Sequence, residues 1–498
     1  MKRIISAVLC AVILLCAVAC SSGSGNRASV RVLMDTKPTN IDPQLAESTE
    51  ELAVTRNCFE GLFRYDSGHA VKAACRDYTV SDDGLIWEFT LRDGLKWSDS
   101  VPITADDFVF GIKRSLMPET VAKNAKLLNC ITGAEAALNG TGSIENVGIS
   151  AKDSKTVVIT LNKKNNSLPE ILSRAICMPC RKDIFDKAKG RYGMSDKLVV
   201  CNGPYTLAGI GDSTLRIVKN EHYTGDFNGK FNQVTFSYGA TESERITSLS
   251  DSLADIAFIS SGSADEANAA ELEIQVFKNT SWILSINKNT EVLGDSSVSA
   301  AIKAAFDSSA YSDVLPYSFS AFGGIIADEL QVNGQNFLSI AGTRAPLKAS
   351  ETAGSDFIAA LEKQEGKLGA LSLVYPEEYE LKQTSARIAQ YLQQQLGIVV
   401  NITPSSTAKL NADVKSGSYQ MAILPVSSDD GYALTALENM VTAGLCDEFN
   451  TTDPLDAEQA ILANPHIIPV AQSGRCVAFG STAENVRFDL FEGVVCFY

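Results

Sequence analysis

The chain has 498 residues and a formal net charge of −16 at pH 7. It lacks concentrated basic runs, so nucleic acid is not expected as a partner, because phosphate backbones are bound by clusters of lysine and arginine. The acidic balance also argues, more weakly, against strongly anionic ligands. Roughly 470 residues remain after the leader and tether described next, which is too many for one hydrophobic core, so we expect two or three lobes.

The N-terminus predicts export. Lys2 and Arg3 precede an apolar run that ends near residue 19, which is too short for a comfortable membrane span and typical of a secretory signal. We therefore predict a signal peptide over residues 1–19. Ala17-Val18-Ala19-Cys20 is similar to a lipobox, which makes Cys20 the expected site of lipid attachment, with ordinary secretion as the alternative. Residues 20–28 are rich in serine and glycine and would form a flexible tether.

Residues 78–114 encode one compact unit. Two alternating apolar runs flank Ser81-Asp82-Asp83-Gly84, which is the pattern of a β-hairpin closed by a glycine-containing turn. Thr104 then precedes two acidic residues and a periodic apolar stretch, which indicates an N-capped helix. Much later, residues 388–400 read as an amphipathic helix that ends at Gly397 and is followed by a β-branched strand, as an α/β lobe requires.

The cysteines predict little chemistry. Nine of the twelve lie after Cys20, and an odd number in an exported protein means that they do not all pair internally. Cys177-Met178-Pro179-Cys180 is the one spacing typical of redox or zinc sites, but no histidine lies near it in the sequence. We expect a disulfide or incidental thiols here, and neither a metal nor a cofactor.

A family resemblance rests first on DDGLIWEFTLRDGLKWSDSVPITADD, residues 82–107. The order of these parts resembles the extracellular solute-binding proteins of peptide-type and nickel-type ABC transporters (family 5), with Ser100 where that family usually has glycine. Weaker matches follow in the family's order, and together they cover most of residues 30–470: NCFEGL at 57–62, NGPY at 202–205, LSDSLADI at 249–256 with Ser252 where glycine is common, and VSAAIKAAFD at 298–307.

The resemblance implies an α/β, two-lobed fold of the periplasmic-binding-protein type, with an additional N-terminal subdomain and a ligand cleft between the lobes. Hinge strands, expected near residues 278–287 and 461–470, would let the cleft close around a ligand. The parts implied by the resemblance are discontinuous in sequence: lobe I over 29–60, 190–280 and 467–498, its additional subdomain over 61–189, and lobe II over 281–466.

The resemblance also implies the principal ligand contact. YQMAILPVSSDD, residues 419–430, aligns Asp429 with an aspartate that pairs with the ligand's N-terminal ammonium in peptide-binding members of the family. A carboxylate buried by cleft closure would form a strong charge-assisted contact there. Asp430 is the second choice. An exposed turn is the competing interpretation, since residues 428–431 repeat the tetrapeptide of residues 81–84.

Further candidates are positions that the resemblance places at the cleft. The opening loop would offer backbone groups to an extended peptide, a mode that tolerates many side chains. Trp282 would either stack on the ligand or pack as a half-buried core residue, and Val426 stands where the family has a pocket tryptophan. The candidates are Lys37, Pro38, Thr39, Trp282, Val426, Ser427 and Tyr432.

We therefore expect a monomeric, lipid-anchored extracytoplasmic receptor that captures peptides and delivers them to the permease subunits of an ABC transporter. The chain lacks the phosphate-binding G-x-x-x-x-G-K-[ST] motif, so any use of ATP would belong to a partner. It also lacks H-E-x-x-H and G-x-S-x-G, and we expect no enzyme. The alternatives are a binding protein for a nickel chelate or an oligosaccharide, and a same-fold surface receptor or adhesin that contacts a protein.

Overall fold

The computed structural model describes residues 29–66, 69–260, 263–333, 335–364, 368–428, 431–449, 451–480, 486–489 and 494–498. The expected signal peptide, tether and lipidation site lie outside the described residues, as do Asp429 and Asp430. Within the described part, no helix combines the length and the apolar character needed to cross a membrane.

The β-strands of the described part are, in chain order, β1 (Ser29–Leu33), β2 (Phe63–Asp66), β3 (His69–Lys72), β4 (Cys75–Val80), β5 (Ile86–Leu91), β6 (Ile149–Asp153), β7 (Thr156–Thr160), β8 (Tyr205–Ile210), β9 (Thr214–Lys219), β10 (Gln233–Ser237), β11 (Ile256–Ile259), β12 (Glu273–Ile286), β13 (Ser320–Ala321), β14 (Gln331–Val332), β15 (Gln335–Asn336), β16 (Leu371–Pro376), β17 (Val400–Ser405), β18 (Met421–Val426), β19 (Ile467–Phe479), β20 (Arg487–Asp489) and β21 (Val494–Cys496).

The α-helices of the described part are α1 (Thr49–Cys58), α2 (Ala105–Ser115), α3 (Ala134–Leu138), α4 (Leu168–Leu172), α5 (Lys182–Ala188), α6 (Glu242–Ser250), α7 (Ala264–Ala269), α8 (Ser296–Ala304), α9 (Phe337–Ala341), α10 (Ala353–Lys363), α11 (Lys382–Leu396), α12 (Thr407–Ser416), α13 (Ala433–Thr442) and α14 (Pro454–Ala463).

The hairpin and the capped helix predicted over residues 78–114 are confirmed. Strands β4 and β5 pair antiparallel, and Gly84 closes their turn at φ 75°. Helix α2 begins directly after Thr104, whose backbone N–H donates to the Asp107 carboxylate at 2.8 Å. This bond satisfies one of the donors that a helix N-terminus otherwise leaves free. Helix α11 likewise ends at Gly397, which adopts φ 69°.

Both serines that stand where the family favours glycine have left-handed backbones. Ser100 adopts φ 70° and Ser252 adopts φ 57°. This region is unfavourable for a residue with a Cβ atom by about 1 kcal/mol, whereas glycine enters it freely. The backbone conformation at these two positions is therefore kept although the residue that suits it best is absent.

One continuous main sheet connects both halves of the molecule. Its strand order is β17-β16-β18-β12-β19-β11-β1-β10-β9-β8, with β13 added beside β19. We call the side from β11 to β8 the first lobe and the side from β17 to β18 the second lobe. A separate four-stranded sheet, β4-β5-β7-β6, packs on the first lobe and shares its hydrophobic core. The lobe boundaries expected from the sequence stay predictions.

The long antiparallel strands β12 and β19 cross from one lobe to the other. Their register runs from Glu273 opposite Phe479 to Phe277 opposite Arg475, is then interrupted, and resumes with Thr280 opposite Ser473. The first expected hinge stretch, 278–287, begins at this interruption. The second, 461–470, is displaced, because the antiparallel pairing puts the crossing of β19 at residues 473–475.

The second lobe has a core on each face of its sheet. Trp282 and Leu284 point into one core with Ile388, whereas Ile283 and Ala422 point into the other. Neighbouring residues of a strand face opposite sides of a sheet, so a strand covered on both faces must be apolar at every position. This explains the uninterrupted apolar run of β18.

The nine cysteines of the described part are buried free thiols. Burial raises the pKa of the Cys180 thiol to about 11 and raises that of Cys177 further. Cys180 also accepts a hydrogen bond from the Arg114 guanidinium at 3.1 Å, and Arg114 forms a buried ion pair with Asp42. Both thiols are protonated at neutral pH and poorly reactive, so the C-x-x-C spacing is a packing feature in this structure.

The crossing of the two strands depends on a glycine without room for a side chain. A Cβ atom on Gly474 would lie 1.2 Å from the carbonyl oxygen of Phe277. We expect Gly474→Ala to force β12 and β19 apart and to lower the free energy of unfolding by about 2 kcal/mol or more. Urea denaturation measures this loss. Gly369→Ala is the control, since its Cβ would meet nothing within 4 Å; equal effects of the two substitutions would contradict the proposed close approach.

Candidate ligand-binding cleft

A cavity of about 190 Å³ lies where the two lobes and the strand crossing meet. Its wall is built from three parts of the chain that are remote in sequence. Residues of the first lobe that line it are Ala46, Glu47, Leu52, Lys123, Asn124, Arg174, Ala175 and Ile176; the crossing strands supply Asn279 and Arg475; the second lobe supplies Glu329, Leu330, Ser428 and Gly431.

Arg475 lies on the part of β19 next to the strand crossing. The residue is exposed and lines the cavity, and its side chain forms no hydrogen bond or ion pair with any residue that the structure describes. The surrounding protein desolvates the group, which lowers its pKa from the usual arginine value, and the nearby Glu50 partly opposes that effect. A cationic group that lacks a partner therefore faces the cavity.

Glu329 faces the same cavity from the second lobe. Its backbone N–H donates to the carbonyl oxygen of Lys278 at 3.0 Å, which ties its loop to β12. The neighbouring Asp328 accepts from Gln472 of β19 at 2.7 Å and from Arg344 at 2.9 Å. These hydrogen bonds to both crossing strands fix the backbone position of Glu329.

The Glu329 carboxylate is only partly satisfied. Its Oε2 atom is buried without a hydrogen-bond donor among the described residues. Burial raises the pKa of this carboxyl from its usual value, and the charge of Asp328 adds to the effect, while Asn336 and Lys278 oppose it. An under-satisfied buried acceptor is costly in a folded protein, so its presence in a cavity indicates a position for a ligand donor.

The lobes also touch each other beside the cavity. These contacts hold one edge of the cleft together while its interior stays open. Two of them are hydrogen bonds: the Tyr65 hydroxyl donates to the side-chain oxygen of Gln331, and the Ser167 hydroxyl donates to the side-chain oxygen of Asn333 at 3.1 Å. The third is a cation–π contact, in which the Arg174 guanidinium lies 5.7 Å from the centroid of the Tyr432 ring.

The structure brings the segment around the predicted amine site to this cavity. Ser428 and Gly431, the described residues on either side of Asp429 and Asp430, both line it. Tyr432 follows directly, immediately before α13, and the Arg174 guanidinium lies over its ring. The two aspartates themselves lie outside the described residues, so their role stays a prediction.

Val426 and Ser427 line a different cavity. It measures about 430 Å³ and lies on the second lobe between β18 and α13, with Pro425 and Met440 in its wall. Val426 is also buried in the core and pairs with Ser281 of β12. Neither residue lines the cavity between the lobes in this structure.

Lys37, Pro38 and Thr39 also lie away from the cavity wall. The Lys37 ammonium sits over the ring of Tyr238, 5.9 Å from its centroid. Pro38 is buried, and the backbone and hydroxyl of Thr39 donate to the Glu51 carboxylate near the start of α1. Their proposed backbone contacts with a ligand therefore stay a prediction.

Trp282 is placed in the core of the second lobe. Its side chain is 1% exposed, contacts Phe319 and Tyr379, and donates from its indole N–H to the Ser473 hydroxyl at 2.7 Å. The ring has no face open to the cleft, so the structure favours the packing role over stacking on a ligand. The indole bond joins β12 to β19 at the strand crossing.

Sequence reasoning missed Glu329 and Arg475. Arg475 carried a usable signal, because it is the one charged residue in the sequence of β19. Glu329 carried none, since its loop resembles any acidic surface turn until the pairing with Lys278 is known.

The fold and the cleft define a two-lobed α/β binding protein. The family model for bacterial extracellular solute-binding proteins, family 5 (Middle), matches residues 40–444. This match covers most of the chain, and the chain belongs to that family.

Individual relatives match parts of the chain. It is 32% identical to the dipeptide-binding protein of Lactococcus lactis subsp. cremoris (strain MG1363) over 38% of this chain and 34% of that protein. It is 32% identical to the oligopeptide-binding protein OppA of Bacillus subtilis (strain 168) over 41% of this chain and 38% of that protein. The chain thus aligns with little more than a third of the length of these two relatives. DppE, a dipeptide-binding protein of the same Bacillus strain, is 25% identical over 78% of this chain and 72% of its own.

Solved structures confirm the fold. The periplasmic murein tripeptide-binding protein MppA, in its unliganded open form, superposes with a TM-score of 0.77 at 18% identity, over 95% of this chain and 96% of its own. Listeria monocytogenes OppA bound to peptide gives a TM-score of 0.66 at 19% identity, over 95% and 98% of the two chains. At these identities the likeness establishes the two-lobed architecture.

The carboxyl of Glu329 lowers the stability of the protein above its own pKa. A carboxyl whose pKa is higher in the folded than in the unfolded state destabilises the fold when it is ionised, and this penalty disappears as the pH falls through the folded pKa. We expect Glu329→Gln to raise the free energy of unfolding at pH 7 by about 1 kcal/mol, after allowing for partial exposure. The gain should shrink towards pH 4.

Chemical denaturation at the two pH values measures the Glu329 effect. Glu351→Gln is the matched control, because Glu351 is an exposed glutamate of the same lobe. A gain that is absent at pH 7, or that grows on acidification, would contradict the proposed burial penalty.

Proposed function

We propose that this protein is a lipid-anchored extracytoplasmic receptor that captures peptides and delivers them to the permease of an ABC transporter. The observation that carries the proposal is the cavity between two lobes joined by crossing strands, in a family of extracellular solute-binding proteins. Its relatives include proteins named for dipeptide and oligopeptide binding. Binding, and not catalysis, is the role that this arrangement supports.

Movement about the strand crossing is the proposed means of capture. Two lobes joined by a pair of continuous strands can rotate about the point where the strand register is interrupted. Closure would bring the Glu329 side of the cavity towards Glu47 and Arg174 on the first lobe. Water leaves the cavity as it closes, and charge-assisted contacts to the ligand gain strength in the drier environment.

Asp429 is the proposed partner of the peptide's N-terminal ammonium. Support comes from its sequence neighbours, since Ser428 and Gly431 both line the cavity. The main chain of the segment is also attached to the rest of the lobe, because Gln331 donates from its backbone N–H to the Gly431 carbonyl at 2.8 Å. A carboxylate on such a segment is suited to recognise an amine that every unmodified peptide carries, whatever its side chains.

The anchor would keep the receptor near its transporter. Lipidation of Cys20 would leave residues 20–28 as a serine- and glycine-rich tether, with a root-mean-square span of about 16 Å for a flexible chain of this length. This is enough for the folded body to reorient at the membrane surface.

Asp429→Asn tests the amine site. We expect it to weaken the binding of free-amine peptides about 10- to 100-fold, because it removes one ionised partner of a charge-assisted contact. N-acetylated forms of the same peptides should bind weakly to both proteins. Isothermal titration calorimetry with a panel of peptides of two to five residues measures the difference.

The sequence supplies a matched control for Asp429. Ser81-Asp82-Asp83-Gly84 repeats the tetrapeptide of residues 428–431, and Asp82 is exposed in a hairpin turn. Asp82→Asn should leave peptide affinity unchanged. Equal affinities of wild type and Asp429→Asn for free-amine peptides would show that another group binds the amine.

Cys20→Ala tests the anchor. We expect the full-length wild-type protein to be found in the membrane fraction of its host. The variant should lose that association, because alanine lacks the thiol to which the lipid would be attached. Cys16→Ala, within the predicted signal, is the control and should remain at the membrane. Membrane association of Cys20→Ala equal to wild type would contradict lipidation at this position.

A further inference from the structure

We propose that Cys58 and Cys201 form a disulfide bond when the protein folds in a compartment that supplies disulfides, and that this bond closes the base of the long segment between them. The inference depends on export of the chain and not on the capture of peptides. It assigns a covalent modification to two side chains that the structure describes as free thiols.

The two side chains are in contact inside the first lobe. The Cys58 and Cys201 thiols are hydrogen-bonded to each other. Both residues are 0% exposed and belong to the same hydrophobic core. Two sulfur atoms in hydrogen-bond contact need only a small further approach, to about 2.05 Å, to be joined covalently.

Backbone hydrogen bonds hold the two segments together. The N–H of Gly203 donates to the Cys58 carbonyl at 2.8 Å. Beside this bond, the Asn202 side chain accepts from the backbone N–H of Glu60 at 3.0 Å and donates to the Glu60 carbonyl at 2.7 Å. The segments therefore lie side by side, which is the arrangement that a disulfide needs, because the Cα atoms that it joins lie within about 7 Å of each other.

The close approach of these segments depends on Gly203. A Cβ atom at this position would lie 2.7 Å from the carbonyl carbon of Cys58. Ser98 holds Cys201 in addition, since its backbone N–H donates to the Cys201 carbonyl at 2.7 Å and its hydroxyl accepts from the Cys201 N–H at 3.1 Å. Both cysteines are thus attached to fixed backbone, and little conformational freedom remains to be lost when the bond forms.

Other thiols of the described chain have partners of a different kind. Cys75 and Cys130 donate to backbone carbonyls of their own segments at 3.2 Å and 3.7 Å. Cys180 accepts from the Arg114 guanidinium at 3.1 Å. None of these contacts brings one thiol to another, so the proposed pair is distinguished by its geometry and not by the number of cysteines.

The position of the pair in the chain gives the bond a structural consequence. Residues 59–200 lie between the two cysteines and contain the separate four-stranded sheet β4-β5-β7-β6. Cys58 is the last residue of α1, and Cys201 precedes β8. The bond would join the two points at which this segment leaves and re-enters the first lobe. A cross-link that closes a long loop restricts the unfolded chain and so favours the folded state.

The bond forms by exchange with a donor disulfide, either that of a thiol–disulfide oxidoreductase or a small-molecule disulfide. One cysteine thiolate attacks the donor and releases its first thiol; the other attacks the protein sulfur of the mixed disulfide and releases the second. The two protein thiols lose two protons and two electrons, and the donor disulfide is reduced to two thiols. Because both sulfurs are fully buried in the folded protein, the exchange precedes the final packing of this core.

Peptide mapping of the full chain tests the bond directly. The chain is expressed with export to an oxidising periplasm, which supplies the donor disulfide. The purified protein is denatured with N-ethylmaleimide, without reductant, then digested and analysed by mass spectrometry. We expect two peptides linked through Cys58 and Cys201, and N-ethylmaleimide on Cys75. Alkylation of both Cys58 and Cys201, or linkage of either one to a different cysteine, would overturn the proposal.

Thermal unfolding with and without a phosphine reductant measures the effect on stability. Wild type should unfold about 5 °C higher without reductant than with it. This difference should vanish in Cys58→Ala and in Cys201→Ala. Cys75→Ala is the matched control, because it removes a buried thiol from the same core, and it should keep the difference.

Each thermal comparison is made within one protein, so the packing that is lost with a buried sulfur does not enter it. A difference that persists in Cys58→Ala would show that another bond is responsible and would contradict the proposal. Neither measurement uses a ligand. A wrong disulfide therefore leaves peptide capture as it stands, and a failure to bind peptides leaves the disulfide as it stands.

Discussion

The antiparallel pairing of β12 with β19 is the constraint on which the rest of this structure depends. These strands belong to both lobes, and the main sheet continues through them from β17 to β8. At the crossing, the register shift after Phe277 and the contact of Gly474 with the Phe277 carbonyl bring the two backbones as close as a side-chain-free residue allows. The indole N–H of Trp282 donates to the Ser473 hydroxyl and so links β12 to β19 next to the crossing.

This constraint explains why Arg475 and Glu329 do not form an ion pair with each other. Elsewhere the protein neutralises buried charges internally, as in the Glu60–Arg64 pair at 3.7 Å and the Asp42–Arg114 pair. At the crossing, Arg475 and Glu329 are attached to rigid backbone and do not reach each other. Retaining such groups lowers stability, and a functional site is where a protein tolerates that loss.

Much of the local structure could be predicted from the sequence, because it depends on residues close together in the chain. The hairpin turn at Gly84, the cap of α2 at Thr104 and the end of α11 at Gly397 each follow from the conformational preference of one residue and its neighbours. The two-lobed α/β fold followed from a resemblance, and the solved structures confirm it.

The cleft could be predicted only in part, because its wall joins segments that are hundreds of residues apart. Ser428 and Gly431, which flank the predicted amine site, line the cavity, whereas Val426 and Ser427 line a different one. The roles of Asp429 and Asp430 stay predictions. The second hinge stretch was displaced, since its position depends on the register with β12. Glu329 and Arg475 become recognisable only when that register is known.

Native mass spectrometry of the soluble body, residues 26–498, purified gently from its host, tests the central claim most directly. Ligand released on denaturation would be identified by its fragmentation. The proposed function predicts co-purified peptides of a narrow length range in stoichiometric amount. Repeated isolation of protein without peptide, together with no thermal shift from a peptide library, would contradict peptide capture and favour a receptor that contacts another protein.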